Sequence, residues 1–237
     1  SAAAARPYCD RSAAETGAVY ELSEAGDDLR ILCHGKGAHA SLPEEGNNAI
    51  TALLTLLCSL PLAQTASAAA LKALNALFPH GDCAGKALGI AQADEISGAL
   101  TLAFSLLEVT ETGLEGRFDS RVPLCATDEN CRKAAEASFC KFGFSVSGEM
   151  EPPHHTPADS PFVKTLLKCY EQYTGNQGAC LAIGGGTYVH DIPGGVAFGC
   201  GMPGFNGNMH GADEHLCIKD LLTSCKIFAQ VIVDLCA

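Results

Sequence analysis

The chain has 237 residues, 47% hydrophobic and 18% charged, enough to bury a core in one or two domains. Its formal net charge of −12, with no cluster of Lys and Arg, excludes a phosphate-binding surface, and with it nucleic acid and anionic membranes as partners. Thirteen cysteines, an odd number with no Cys-x-x-Cys pair, read as small core residues kept reduced in a cytoplasm rather than as a disulfide framework or zinc knuckle. With aromatics at 6% and no tryptophan, Ala and Leu must do most of the packing.

Ser1 to Ala5 leads into Arg6-Pro7 with no apolar run behind it, so no signal peptide is read there, and the abrupt opening reads as an artificial boundary or a truncated reading frame. Ala18–Leu22 and Leu29–Cys33, joined by Ala25-Gly26-Asp27-Asp28, predict a hairpin. Leu42-Pro43-Glu44-Glu45 opens a helix over Asn48–Leu60, where Ile50, Leu53, Leu54 and Leu57 recur at helical spacing before Pro61. Ser67 is read as the cap of a second helix reaching Phe78. Ala99–Val109 and Leu114–Val122 predict two strands turned at Thr112-Gly113, and Thr127-Asp128-Glu129 caps a helix to about Phe142. Phe144–Ser147 is read as a short strand. The order β-β-α-α-β-β-α-β implies an α+β domain over residues 1–150, an antiparallel sheet with helices on one face.

The Pro152-Pro153-His154-His155-Thr156-Pro157 segment is the best boundary in the chain. Residues 151–237 then read α-β-β-α: a helix over Phe162–Tyr173, capped by Ser160-Pro161 and stopped by Gly175, strands near Leu181 and over Val196–Phe198, and a helix over Asp220–Leu235. This half lacks the strands of a complete α/β sheet.

Several residues could carry chemistry. Gly35-Lys36-Gly37-Ala38-His39-Ala40-Ser41 leaves open space beside the His39 ring, which suits a hydrogen-bond donor to a developing oxyanion. Arg121 ends a strand, and its guanidinium is the preferred fork for a carboxylate. Gly184 to Thr187 offers bare backbone N–H groups and a hydroxyl but lacks the lysine of a phosphate-binding loop. His210, in a glycine-rich turn, is a candidate metal ligand, yet one histidine cannot hold a hydrolytic zinc, which needs about three protein ligands. His215 is read as structural, and the adjacent His154 and His155 point opposite ways in an extended segment and are read as non-ligands.

Gly35-Lys36-Gly37-Ala38-His39-Ala40-Ser41-Leu42-Pro43, Ser120-Arg121-Val122-Pro123, Ser160-Pro161-Phe162-Val163, Ile183-Gly184-Gly185-Gly186-Thr187-Tyr188 and Met209-His210-Gly211-Ala212-Asp213-Glu214 occur in one order along the chain. In that order they resemble the dinuclear-zinc dipeptidases of the carnosinase and PepV type, within the metallopeptidase group that includes aminoacylases. The resemblance implies a lid domain over 1–150 followed by an incomplete α/β zinc-peptidase catalytic segment over 151–237. It implies two zinc ions in the complete enzyme, with His210 as the final ligand and the others preceding the lid, so that this chain would bind little zinc and be inactive alone. His39 matches the catalytic histidine that stabilises the tetrahedral intermediate, Arg121 the residue that binds the substrate's C-terminal carboxylate, and Gly185, Gly186 and Thr187 the substrate-lining loop. The implied substrate is a dipeptide. The alternatives are an N-acyl-amino acid for a deacylase of the same family, or no reaction at all in a binding or assembly module derived from it. Lids of this family either pair between subunits or enlarge in a monomer, and the large segment from about Ser59 to Ser97 leans toward the monomer. The chain departs from the family pattern where Val189-His190, rather than an arginine, follows the glycine loop, and where Arg6-Pro7-Tyr8-Cys9-Asp10 lacks the usual asparagine.

Overall fold

The computed structural model describes residues 1–110, 112–199, 201–209 and 211–236. They form two compact units, one of Ser1–Pro153 with Ala182–Gly185 and one of His154–Leu181 with Gly186–Ala237.

The first unit opens with a helix the sequence pattern does not reveal, α1 (Ala2–Thr16), capped by the Ser1 side chain and closed by Gly17 in the left-handed conformation. Its buried residues are Ala5, Cys9, Ser12 and Thr16, which share one face at helical spacing but carry little hydrophobic signal. Pro7 also lies in its interior, where a helix is rarely expected. The expected hairpin follows as β1 (Val19–Ala25) and β2 (Asp28–His34). A separate 3-10 turn, Pro43–Glu45, precedes α2 (Ala49–Ser59), capped by Asn48 through its side-chain oxygen. The next helix, α3 (Ala66–Leu77), is capped by Thr65 and not by Ser67, because the Thr65 hydroxyl is the one that reaches the Ala68 N–H.

A two-residue ladder, β3 (Ala93–Asp94) with β4 (Gly98–Ala99), leads to the long ribbon of β5 (Thr101–Val109) and β6 (Leu114–Arg121). The ribbon's register shifts between Phe104 and Leu106, which marks a bulge. Thr127 and Asn130 then make a reciprocal cap over a wide π-turn, Asp128–Arg132, before α4 (Lys133–Cys140), so this helix starts wider and ends earlier than its caps and periodicity predict. Phe144 and Val146 pack against the core without joining a strand.

The strands make three two-stranded antiparallel ladders, not the single sheet expected from their order. The reason lies in α2, which is apolar on two sides. Ala52 and Leu56, one turn apart, join Cys9, Ala18 and Tyr20 in one cluster, whereas Leu54 faces the other core. The β1–β2 and β5–β6 ribbons thus feed cores on different faces of one helix instead of pairing edge to edge. The larger core gathers Phe78, Phe104, Phe118 and Phe139, with Phe78 stacked on Phe104 at a centroid distance of 4.2 Å. Four of the ten phenylalanines therefore meet in this core, alongside the Leu and Ala residues that composition favours.

The second unit is built on α5 (Pro161–Thr174) and α6 (Ile218–Cys236), packed through Leu166, Cys169, Ile227 and Val231. Ser160, Pro161 and a left-handed Gly175 bound α5 as its caps predict. Neither segment read as a strand forms one among the described residues. Leu181 and Ile183 are exposed, whereas Val196 and Phe198 pack on the helix pair. An isolated extended segment has no ladder to satisfy its backbone, and no strand among the described residues pairs with either of these two.

Candidate functional site

The loop that carries His39 is pinned at its base. Lys36 and Asn47 exchange two backbone hydrogen bonds, of 2.9 and 2.8 Å, as an isolated antiparallel bridge. Only glycine fits at position 35, because a Cβ there would lie 2.1 Å from the Asn47 carbonyl oxygen. Asn47 Nδ2 donates to the Thr16 carbonyl at the end of α1, and Asn48 Nδ2 donates to the Phe104 carbonyl at the ribbon's bulge. Within the loop, the Leu42 N–H closes a turn on the His39 carbonyl at 2.9 Å.

His39 itself is half-buried, and its tautomer follows from its neighbours. The Ser41 backbone N–H, which can only donate, points at Nδ1 from 3.2 Å, and the Ser41 hydroxyl lies 2.8 Å from the same nitrogen. Nδ1 is therefore an acceptor, and in the neutral ring the proton sits on Nε2. The ring presents an N–H donor at its far end, the form suited to stabilising an oxyanion.

Arg121 is brought to the same place by the ribbon. It is the cross-strand partner of Thr101, whose hydroxyl donates to the Ala40 carbonyl at 2.9 Å and so ties the His39 loop to the ribbon's end. Gly184 completes the cluster: a Cβ there would stand 2.8 Å from Ser41 Cβ and 3.3 Å from Arg121 Cβ, so the glycine allows its backbone to lie against both. Arg121 is paired with Asp119, two residues earlier on the same face. Nη2 donates to Oδ2 at 2.8 Å, and Nε lies 2.7 Å from Oδ1 with its N–H poorly aligned for a hydrogen bond.

Of the sequence-predicted site residues, the first unit therefore gathers His39 and Arg121. Gly185 belongs to this unit too, with open space where its side chain would be. Gly186 and Thr187 belong to the second unit and are exposed. His210 lies outside the described residues. His154 donates from Nε2 to the Gly195 carbonyl at 2.7 Å, a bond shared by the Thr156 hydroxyl, and this fixes the backbone of the second unit. His215 donates to the Asp213 carbonyl and meets Phe205 edge-on. Among the described residues no group of three or more His, Cys, Asp or Glu side chains could hold a metal ion, so the two zinc ions implied by the resemblance do not fit these residues alone.

Sequence reasoning gave no separate role to Ser41, Thr101, Asp119 or Gly184. Asp119 and Arg121 were findable, since alternate residues on a strand share a face. Gly184 was hidden among three equivalent-looking glycines. Near the cluster, Thr101 also lines a cleft of about 540 Å3 whose walls carry Glu44, Asp82 and Lys86. Two carboxylates there make it a poor seat for an anion. The second unit has a more apolar cleft of about 370 Å3, lined by Phe162, Leu166, Tyr188, Val196, Phe198 and Phe228 among others.

Comparison with known proteins supplies the lineage. The family model described as peptidase family M20/M25/M40 matches residues 58–234. The chain belongs to this family. It is 37% identical over 216 residues to a putative dipeptidase, YtjP, of Bacillus subtilis, covering 91% of this chain and 46% of that protein. It is 33% identical over 220 residues to a Beta-Ala-Xaa dipeptidase of Lactobacillus delbrueckii, covering 91% of this chain and 45% of the relative. A putative dipeptidase of Staphylococcus haemolyticus is 28% identical over 212 residues, covering 88% and 45%. The chain thus spans about half the length of the curated relatives it matches. No helix among the described residues is long and apolar enough to cross a membrane.

Proposed function

We propose that these residues form part of a dipeptidase of the carnosinase and PepV type, acting on dipeptides with a free C-terminal carboxylate. The observation that carries this reading is the joining of two complementary groups in one unit: an imidazole held with its proton on Nε2 and a guanidinium. Arg121 grips the substrate's carboxylate and so fixes the register of the scissile bond. His39 donates its Nε2–H to the carbonyl oxygen as negative charge gathers there, a contribution of roughly a hundred- to a thousandfold in rate. The Ser41 pair on Nδ1 keeps the imidazole in the donating tautomer throughout. Gly185, Gly186 and Thr187 line the substrate, with backbone that carries no side chain to obstruct it at the two glycines.

The family's zinc belongs to the same proposal, with His210 as a ligand. The described residues supply no metal cluster, so the 237-residue chain on its own is expected not to hydrolyse dipeptides. The names of the relatives favour a dipeptide over an N-acyl-amino acid. A cytoplasmic setting is supported by the cysteines, none of which is in a disulfide among the described residues. The test compares turnover of a dipeptide with that of its C-terminal amide by the active protein containing these residues, with and without R121A. The expected result is loss of preference for the free acid in R121A. Equal handling of acid and amide by the unaltered protein would overturn the reading.

A further inference from the structure

The partner of Arg121 in this structure is not solvent but a carboxylate two residues away, and its geometry has consequences for any ligand. Asp119 meets the Nε/Nη2 edge of the guanidinium at two points, 2.7 Å from Nε and 2.8 Å from Nη2. The pair is partly sheltered, with 31% of the Arg121 side chain and 39% of that of Asp119 exposed. Their cross-strand neighbours do not compete for the guanidinium. Ala103, opposite Asp119, offers only a methyl group, and the Thr101 hydroxyl, opposite Arg121, donates to Ala40. A guanidinium has two edges able to take a carboxylate with parallel hydrogen bonds. Asp119 occupies the side edge, with one hydrogen bond from Nη2 and the Nε–H close but poorly aligned, which leaves the end edge, formed by Nη1 and the second N–H of Nη2.

We propose that Asp119 is a positioning residue that presents the end edge of Arg121 to the ligand and thereby makes the site selective for a planar carboxylate approaching along the side chain's axis. The inference rests on the role given to Arg121 above. It has two physical parts. First, the ion pair removes rotamer freedom from a long side chain before the ligand arrives, so less entropy is lost on binding. Second, Asp119 neutralises the net charge of the guanidinium, so recognition depends on the directed N–H donors of the end edge more than on long-range attraction. A bare anion, or a neutral amide in place of the carboxylate, gains little from such a site. The opposite reading of the same contact, in which Asp119 is an internal competitor that the ligand must displace, makes the opposite prediction about its removal.

The experiment measures kcat and KM for a dipeptide and for its C-terminal amide in the active protein containing these residues, in the unaltered form and as D119N, D119E, R121A and the D119N/R121A double variant. D119N is expected to raise KM for the free acid about tenfold, the loss of roughly one charged hydrogen bond, while leaving kcat and the KM for the amide within about twofold. D119E, which can still pair after a shift of one methylene, should raise the acid's KM by a smaller factor. In the double variant the Asp119 effect should vanish, because the group it acts through is gone. A fall in KM, or no change, in D119N would overturn the inference where R121A has lost the preference for acid over amide. If R121A keeps that preference, the reading of Arg121 fails first. Should D119N fold poorly, D119E carries the same test, with an acid-specific rise expected and an equal rise for acid and amide refuting.

Discussion

Replacing Gly35 by alanine tests how the His39 loop is held. Gly35 is not among the glycines with positive φ, so its backbone is one that alanine also adopts. On conformational grounds alone the change would stabilise the fold by about 0.4–1 kcal/mol, through the unfolded chain. The structure predicts the reverse. The new Cβ would sit 2.1 Å from the Asn47 carbonyl oxygen and 2.9 Å from the Ala49 backbone nitrogen, and both are backbone atoms without a flexible end to yield. The Lys36–Asn47 bridge must open, with loss of two backbone hydrogen bonds of about 1 kcal/mol each. The net cost is about 1–2 kcal/mol, or roughly 2–8 °C in Tm for a domain of this size. Thermal unfolding followed by circular dichroism reads it, with G37A as the control, since nothing lies within 4 Å of a Cβ at Gly37 and its φ is not positive either. Equal melting of G35A and the unaltered protein, or an equal fall in G37A, would refute the argument that the bridge anchors the loop.

Other outcomes follow from the same geometry. H39A should lower kcat on a dipeptide by about a hundred- to a thousandfold. H39Q, whose amide N–H can reach toward the Nε2 position, should lose less than H39N, and steady-state kinetics on the three would reject the oxyanion role if they ranked otherwise. Asp94 accepts hydrogen bonds from the Ile96 and Ser97 N–H groups, the Ser97 hydroxyl and the Cys125 N–H, which hold its carboxyl down at about 2 against an ordinary 3.8. A depressed folded-state value means that its stabilisation is full above about pH 4 and disappears as the pH falls toward about 2. Urea midpoints should therefore drop less steeply over that window in D94N than in the unaltered protein. Burial pushes the thiols of Cys9 and Cys131 up, whereas Cys125 and Cys140 are exposed. Timed alkylation read by mass spectrometry should label the latter pair in the folded protein and the former only on unfolding.

The elements legible in the sequence were those bounded by local chemistry. Ser160-Pro161 and Gly175 mark α5 because capping and termination are decided within a few residues. Helix α1 escaped because its buried face is made of Ala5, Cys9, Ser12 and Thr16, held partly by polar contacts that no hydrophobic period reports. The Tyr20 hydroxyl, for example, lies 2.8 Å from Ser12 Oγ and donates to the Ala52 carbonyl. The separation of the strands into three ladders depends on α2 having two apolar faces, which a pattern of Ile50, Leu53, Leu54 and Leu57 does not by itself resolve into two destinations. At the site, His39 and Arg121 were candidates by residue type, and their roles came from the resemblance. What ties them together, the Thr101 bond to Ala40 and the approach of Gly184, links positions far apart in the chain and becomes visible only once the ribbon is folded.

The β5–β6 ribbon has a further consequence, set by its length. Arg121 stands at one end, opposite Thr101, and Thr110 and Gly113 close the turn at the other. With nine residues in β5, the two ends lie about 30 Å apart. The ribbon is therefore a lever whose fulcrum is the phenylalanine core and whose short arm carries the guanidinium. A tilt of about 5° at Phe104 moves the far end of β5, about 17 Å away, by roughly 1.5 Å. A fluorophore attached near Thr112 would report such a tilt without touching His39 or Arg121.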